Sequence, residues 1–315
     1  MPRIVTVGVA QLGPIARTES RQHVVARLLA LMEDTARMGG DLVVYPEAAL
    51  TAFFAHWLVA DEEELDSYFE AAMPNPAVQP LFDAARRLHI GFHLGYAELT
   101  VENGRKRRFN TSVLVGKNGA IVGKYRKIHL PGYAEPHPEA PFQNLEKRYF
   151  AVGNLGWPVW EVFGGRVGMM VCNDRRWPEA YRVMGLQGVE MILLGYNTPT
   201  HDPAMPQTDG LGNFHNQLVM QAGAYQNGTW VVAAAKAGLE EGVEMIGQSC
   251  IIAPSGELVA QCSTLGDEVQ VARCDLDLCT SYKENIFNFA RHRRCEHYGL
   301  IVERTGAGPV VGREE

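Results

Sequence analysis

Apolar and polar positions alternate along this chain in two distinct rhythms. Ile4 to Val9 is a short apolar run that reads as a strand, and the stretch from Glu19 to Arg37 repeats apolar residues at helical spacing, with Val24, Leu28, Leu31 and Thr35 on one face. Gly39-Gly40 ends that helix. Leu42 to Tyr45 is a compact strand broken by Pro46, which places Glu47 just past its carboxyl end. Helical patterns follow near Asp61 to Ala72 and Val78 to His89, then strands at Ile90 to Leu99 and Thr111 to Val115. Lys117-Asn118-Gly119 turns the chain into a further strand, Ala120 to Tyr125, with Lys127 beyond it.

The same alternation resumes in the second half. Pro158 to Phe163 and Val167 to Val171 form a hairpin joined at Gly164-Gly165, and its second strand runs directly into Cys172. Pro178 suits a helix first turn, where its missing donor costs nothing, and that helix extends to about Gln187. Then come a strand at Val189 to Leu194, a helix near Phe214 to Tyr225, a strand at Thr229 to Ala234, a hairpin from Gln248 to Gln261 turning at Pro254-Ser255-Gly256, and a strand at Val269 to Cys274. Strands alternating with helices, without linker, repeat or low-complexity tract, predict a single α/β domain over residues 1–315. A C-terminal arm is expected from about residue 277, and the tail from Arg304 reads as an arm or frayed end.

Composition narrows the class. The 315 residues are 46% hydrophobic and 21% charged, ordinary values for a packed globular enzyme. A net charge of −7 offers no field for nucleic acid or an anionic membrane. The basic runs Arg105 to Arg108 and Arg291 to Arg294 are short, as expected of a solvated loop or a subunit contact. No long apolar segment reads as a signal peptide or membrane span, so a cytoplasmic protein is expected. The six cysteines have neither C-x-x-C pairing nor metal-ligand spacing, which predicts reduced thiols and no metal. Five of them, Cys250, Cys262, Cys274, Cys279 and Cys295, read as core packing. Cys172 is the exception.

Glu47, Lys127 and Cys172 each follow a predicted strand, and ligands of open α/β sheets bind outside strand carboxyl ends. Individually each has a plain reading as a solvated carboxylate, a surface ammonium or a core thiol. Together they can line one rim: an ammonium beside a thiol favours thiolate, a carboxylate can serve as general base, and the ammonium can also hold a developing oxyanion. The absence of H-E-x-x-H, G-x-G-x-x-G, P-loop and G-x-S-x-G patterns leaves a cofactor-free nucleophilic mechanism.

In this order Tyr45-Pro-Glu47, Lys124-Tyr-Arg-Lys127 and Cys172-Asn-Asp-Arg-Arg-Trp-Pro-Glu179 resemble the three motifs of the nitrilase superfamily of carbon-nitrogen hydrolases. The likeness extends from the first strand to the region of Asn285 to Phe289. It implies a four-layer αββα sandwich and homo-oligomers, dimers or tetramers, built by further sandwich contacts. Segments such as Gln11 to Arg17, Lys106 to Thr111, Lys127 to Gly132, Leu145 to Phe150 and Gly195 to His201 are similar to the N-carbamoyl-D-amino-acid amidohydrolases. That resemblance implies Glu47 as base, Lys127 as oxyanion support, Cys172 as nucleophile, and Glu146 as a second glutamate orienting the lysine and the substrate nitrogen. It implies substrate contacts at Asn173, Arg175, Arg176, Asn197 and Thr198, with Arg175 expected to clamp a substrate carboxylate rather than form a structural salt bridge with Asp174 or Glu179.

Asn144 departs from the subgroup, which has histidine there. Asparagine can donate a hydrogen bond but carries no charge, so carboxylate affinity or side-chain range is expected to differ. His129 is shared with the subgroup and reads either as a structural hydrogen-bonding group near the lysine or as a substrate contact. His201 and His215 read as structural. The rival activities within the superfamily are an aliphatic amidase, a nitrile hydrolase and a β-ureidopropionase. A non-catalytic binding subunit is disfavoured by the intact Glu, Lys and Cys.

Overall fold

The structure is a computed structural model that describes residues 2–137, 139–203 and 205–308. Its first sheet is built around β1 (Ile4–Gln11), β2 (Leu42–Val44) and β3 (Gly91–Glu102), which run parallel. The hairpin strands β4 (Arg105–Val115) and β5 (Ile121–Arg126) extend one edge antiparallel in turn. On one face of this sheet α1 (Arg21–Arg37) and α3 (Gln79–Leu88) seat the predicted apolar stripe: Val24, Val25, Leu28 and Leu31 pack with Leu81, Phe82, Val43 and Phe92. Ser20 caps α1 by accepting from the backbone of His23, satisfying one of the free donors of its first turn. The helix α2 (Glu62–Ser67) and the short α4 (Glu146–Tyr149) lie in long excursions beyond strand ends.

The second sheet has the same plan. Its parallel core is β7 (Gly165–Val171), β8 (Met191–Tyr196) and β9 (Trp230–Ala235), flanked by β6 (Val159–Val162) on one side. β10 (Ala237–Glu240) and β11 (Val243–Ile246) form a separate two-stranded hairpin, while β12 (Cys250–Ile252) and β13 (Leu258–Gln261) complete the sheet beyond β9. Strand β14 (Glu268–Asp275) crosses back to pair antiparallel with β1. α5 (Pro178–Leu186) and α6 (Gly212–Asn227) cover the outer face through Ala180, Tyr181, Met184, Met220 and Ala224. The inner faces meet directly, Val5, Val7, Leu42 and Leu114 against Val167, Met169, Val171 and Leu193. Helix, sheet, sheet and helix form the expected αββα sandwich.

Some local expectations fail for identifiable reasons. The helix expected from Asp61 to Ala72 ends at Ser67, because Tyr68 and Phe69 turn into an aromatic cluster with Phe54 and Phe150 while Glu70 bridges to Glu98 on β3. The run Arg105 to Arg108 is not a loop but the first half of β4, with Lys106 and Arg108 donating to Asp66 on α2 at 2.6 and 2.9 Å. Cys250, Cys262, Cys274 and Cys279 are buried as expected, but Cys295 is exposed. Residues 277–284 form a helix, α7 (Asp277–Glu284), tied by Asp277 to Arg3 at 2.7 Å, so the arm begins with an anchored segment. Residues 304–308 are exposed, and residues 309–315 of the expected arm lie outside the described residues. Among the described residues no helix is long and apolar enough to cross a membrane.

Candidate active site

The carboxyl ends of β2, β5 and β7 deliver Glu47, Lys127 and Cys172 to one place in the seam between the two sheets. Lys127 Nζ lies 2.8 Å from Glu47 Oε1 and 2.5 Å from Glu146 Oε2, and all three side chains are fully buried. Asn110 on β4 donates its amide to the same oxygens, at 2.7 Å to Glu47 and 3.4 Å to Glu146. The backbone N–H of Asn197 donates to Glu47 Oε2 at 3.0 Å, and its side-chain amide donates to the Glu47 carbonyl at 2.9 Å. Glu47 therefore has each oxygen oriented by a fixed donor, as a positioned base requires.

Two glycines from opposite sheets make room for this glutamate. A Cβ on Gly95 of β3 would stand 2.5 Å from the Pro46 carbonyl oxygen, and one on Gly195 of β8 would stand 2.4 Å from the Glu47 nitrogen. The backbone at Pro46-Glu47 is gripped from both faces, and Ala48 next to it adopts a φ of 45°, the left-handed region that alanine rarely occupies. Cys172 is held in the same region at φ 47°. Such conformations persist only where surroundings enforce them, and they turn the thiol sharply off the end of β7.

The Cys172 loop is held chiefly by Arg175 and Asp174. Arg175 is fully buried: Nε donates to Asn216 on α6 at 2.9 Å, Nη2 to the Thr198 hydroxyl at 2.8 Å, and Nη1 to the Cys172 carbonyl at 2.7 Å. Its guanidinium also stacks on Tyr196 at 4.5 Å. Among the described residues Arg175 makes no salt bridge with Asp174 or Glu179, because polar partners from α6 and the loop after β8 hold its guanidinium beside Cys172. Asp174 Oδ1 accepts from the His129 backbone N–H and lies 2.9 Å from His129 Nδ1, while Oδ2 accepts from the Tyr125 hydroxyl and the Val171 N–H. One buried carboxylate thus joins the Lys127 loop to the Cys172 loop.

Electrostatics qualify the expected activation of the thiol. Burial pushes the Cys172 thiol pKa up, the Glu47 charge adds to that, and the cations Lys127 and Arg175 only partly oppose it. The anticipated net lowering by Lys127 does not result, since its charge is already shared between two carboxylates. The thiol rests protonated, donating to the Asn197 carbonyl at 3.4 Å, and needs a base. Burial opposes the Lys127 charge, but Cys172 when ionised, Glu146 and Glu47 outweigh it and leave its pKa above the ordinary lysine value. Glu146 is pushed up by burial, only partly relieved by Lys127. Its Oε1 is a buried acceptor with no partner among the described residues.

The remaining expected contacts lie around this core. Asn173 is half-buried with its amide on the His129 carbonyl, and His129 stacks on Trp177 with ring centroids 4.9 Å apart. Asn144 Oδ1 accepts from the Glu146 N–H at 3.1 Å. Arg176 is exposed, and its pKa is lowered by partial desolvation and by the neighbouring Arg175 charge. His201 pairs with Asp209 at the surface, and His215 lies exposed on α6. Asn110, Asp174 and Asn216 carry geometry that the sequence reading assigned to no residue. An amide within the apolar strand Phe109 to Val115 and an acid beside the nucleophile were the available signals. Among the described residues no group of three or more His, Cys, Asp or Glu side chains is placed to hold a metal ion.

A buried thiol with an ammonium and carboxylates converging on it is suited to nucleophilic attack on an acyl carbon. The sequence profile of the carbon-nitrogen hydrolase family matches residues 6–284, and the chain belongs to that family, an enzyme class acting on amides. It is 29% identical over 323 residues to an N-carbamoylputrescine amidase of Solanum lycopersicum, spanning 98% of both chains. A citrullinase of Francisella tularensis is 27% identical over 290 residues, 89% of this chain and 93% of that one. Among solved structures, a carbon-nitrogen hydrolase from Helicobacter pylori G27 superposes with a TM-score of 0.80 at 22% identity, covering 96% of this chain and 99% of the other.

Proposed function

We propose that this enzyme hydrolyses N-carbamoyl amino acids, in the D series, to the free amino acid, carbon dioxide and ammonia. The observation that carries the ureido reading is Glu146: a buried carboxylate with one oxygen on Lys127 and the other unpartnered, suited to accept an N–H from a substrate that has nitrogen on both sides of its carbonyl. The names of the tomato and Francisella relatives both point to compounds with a terminal ureido group, which supports the same class. The D preference rests on the resemblance of the segments Gln11 to Arg17, Lys106 to Thr111, Lys127 to Gly132, Leu145 to Phe150 and Gly195 to His201.

In the proposed reaction Glu47 takes the Cys172 proton and the sulfur attacks the ureido carbonyl carbon. Lys127 and the backbone N–H of Asn173 hold the oxyanion. Collapse expels ammonia, protonated through Glu47, and leaves a carbamoyl thioester. Water deprotonated by Glu47 attacks that carbon, the sulfur leaves as thiol, and the released carbamic acid decomposes to carbon dioxide and amine. Arg176, exposed beside the nucleophile, supplies the cation for the substrate carboxylate, while Arg175 serves from within by fixing the loop. Asn144, Asn173, Asn197 and Thr198 line the same region. Exposed apolar side chains on the outer helices, among them Val183, Leu186, Phe214 and Leu218, support assembly into homo-oligomers.

Ammonia release from N-carbamoyl-D-phenylalanine, its L enantiomer, N-carbamoylputrescine, citrulline and a simple aliphatic amide tests the reading. Preference for the carbamoyl-D-amino acid is expected. Equal or better turnover of the simple amide would overturn the ureido assignment, and preference for carbamoylputrescine would overturn the carboxylate one.

A further inference from the structure

Behind the site lies a buried ion pair that the proposed chemistry does not use. Lys236, between β9 and β10, has its Nζ 3.0 Å from Glu240 Oε2 and also donates to the Thr51 carbonyl. Glu240 Oε1 accepts from the Phe53 N–H at 2.6 Å, and Oε2 accepts from the Ile15 N–H at 3.0 Å. Both side chains are buried. The pair therefore grips Thr51 and Phe53, in the segment that leads away from Glu47.

The next turn, Phe54–His56, carries the connection across the site. The Ala55 carbonyl accepts from the Leu145 N–H at 2.8 Å, and the His56 carbonyl accepts from the Gln143 N–H at 3.0 Å. These bonds bracket Asn144, whose side chain in turn accepts from the Glu146 N–H. Hydrogen bonds joined by the short backbone from Thr51 to His56 thus lead from the ion pair to the backbone that presents Glu146, and the gripped segment follows Glu47 by four residues. The buried His56 ring packs on Phe53 and Phe142, with centroids 4.8 and 5.6 Å away, and stays uncharged because of burial and the Lys236 charge. Hydrophobic residues of similar volume commonly replace a buried ion pair without loss of stability, so folding alone does not call for charge here.

We propose that Lys236 and Glu240 are positioning residues which, through the segment from Thr51 to His56 and the backbone of residues 143–145, jointly set the placement of the two glutamates, Glu47 and Glu146. The proposal rests on the catalytic reading of those glutamates.

Lys236→Met, Glu240→Gln and the double variant Lys236→Met/Glu240→Leu test it, compared with the native enzyme in kcat, KM, the pH profile of kcat, and thermal stability. A displaced catalytic group costs rate steeply, so the double variant is expected to remain folded but to lose roughly tenfold or more in kcat, with KM little changed and the pH profile shifted. Native kcat with an unchanged pH profile in the folded, correctly assembled double variant overturns the proposal. If the double variant does not fold, Glu240→Gln, which keeps shape and loses charge, decides by the same criterion. Glu47→Gln and Glu146→Gln separate the two readings: activity retained in these sinks the catalytic assignment itself, whereas inactivity in them with full activity in the pair variants sinks only the positioning role.

Discussion

Arg175 donates to the carbonyl oxygen of Cys172 at 2.7 Å, and the same nitrogen stands 3.7 Å from the Cys172 sulfur. The arginine three residues past Cys172 thus braces the loop that carries the thiol. Arg175→Leu should lower kcat/KM for every substrate alike, by roughly 30-fold or more, since removing one member of a desolvated polar cluster typically costs ~2–5 kcal/mol. Arg176→Leu should instead weaken carboxylate-bearing substrates selectively and spare simple amides. Steady-state kinetics of both folded variants on carbamoyl amino acids and amides check this, and a selective loss at Arg175 with none at Arg176 would reverse the assignment.

Cys172→Ala should abolish turnover yet leave substrate binding measurable by calorimetry. Because burial holds the native thiol above its ordinary pKa, alkylation by iodoacetamide should be slow at neutral pH and climb as pH rises through and beyond the usual thiol range. Lys127→Met removes a cation that stabilises thiolate and should move that climb to still higher pH. Rapid alkylation at pH 6 in the native enzyme would refute the account.

His56 and His93 are buried, and burial pulls their pKa values down to about 3 and about 4. Both are depressed below the unfolded value near 6.5, so the unfolded chain binds the extra protons first. Stability should therefore be full above about pH 6.5 and fall as pH drops toward 4, by about 1.4 kcal/mol per pH unit for each histidine. Denaturant midpoints measured from pH 7.5 to 4.5 would reveal the slope. His93→Gln should flatten it, and an unchanged slope would contradict the assignment.

Gly195→Ala should be far more damaging than its single methyl suggests. The added carbon would meet the Glu47 nitrogen at 2.4 Å, where backbone rather than a flexible side chain must yield. A stability loss of ~1–3 kcal/mol is expected, with kcat reduced by roughly a hundredfold through displacement of the base. Thermal melts and single-turnover rates measure the two effects, and a variant with native kcat would show that Glu47 tolerates the shift.

Much of this was readable in one dimension because Glu47, Lys127 and Cys172 each sit where an apolar strand stops, and strand ends converge in parallel sheets. The β10–β11 hairpin was not readable, since Ala237-Gly-Leu-Glu and Val243-Glu-Met-Ile are short and lack a strong alternating face. The inward turn of Arg175 depends on Asn216, 41 residues further on, and no local pattern announces a partner at that distance. The first half of β4 was obscured by four consecutive basic residues, which become a strand only because β3 pairs with them residue by residue from Leu99 to Glu102. Cys295 was misread as core although its neighbours Arg293, Arg294, Glu296 and His297 are charged or polar, as suits the surface segment that carries it.

The pinch of Pro46-Glu47 between Gly95 and Gly195 has a consequence for how such an enzyme can acquire new substrates. Glu47, the proposed base, has a main chain that meets both sheets and cannot be re-aimed by small local changes, because each sheet would have to give way at once. Diversification is expected at the rim, in the loop residues 130–137 and 199–203, where side chains can be exchanged without moving the reacting groups. Libraries directed to those two loops should yield altered specificity with native chemistry, whereas libraries directed to the seam should yield mostly inactive protein.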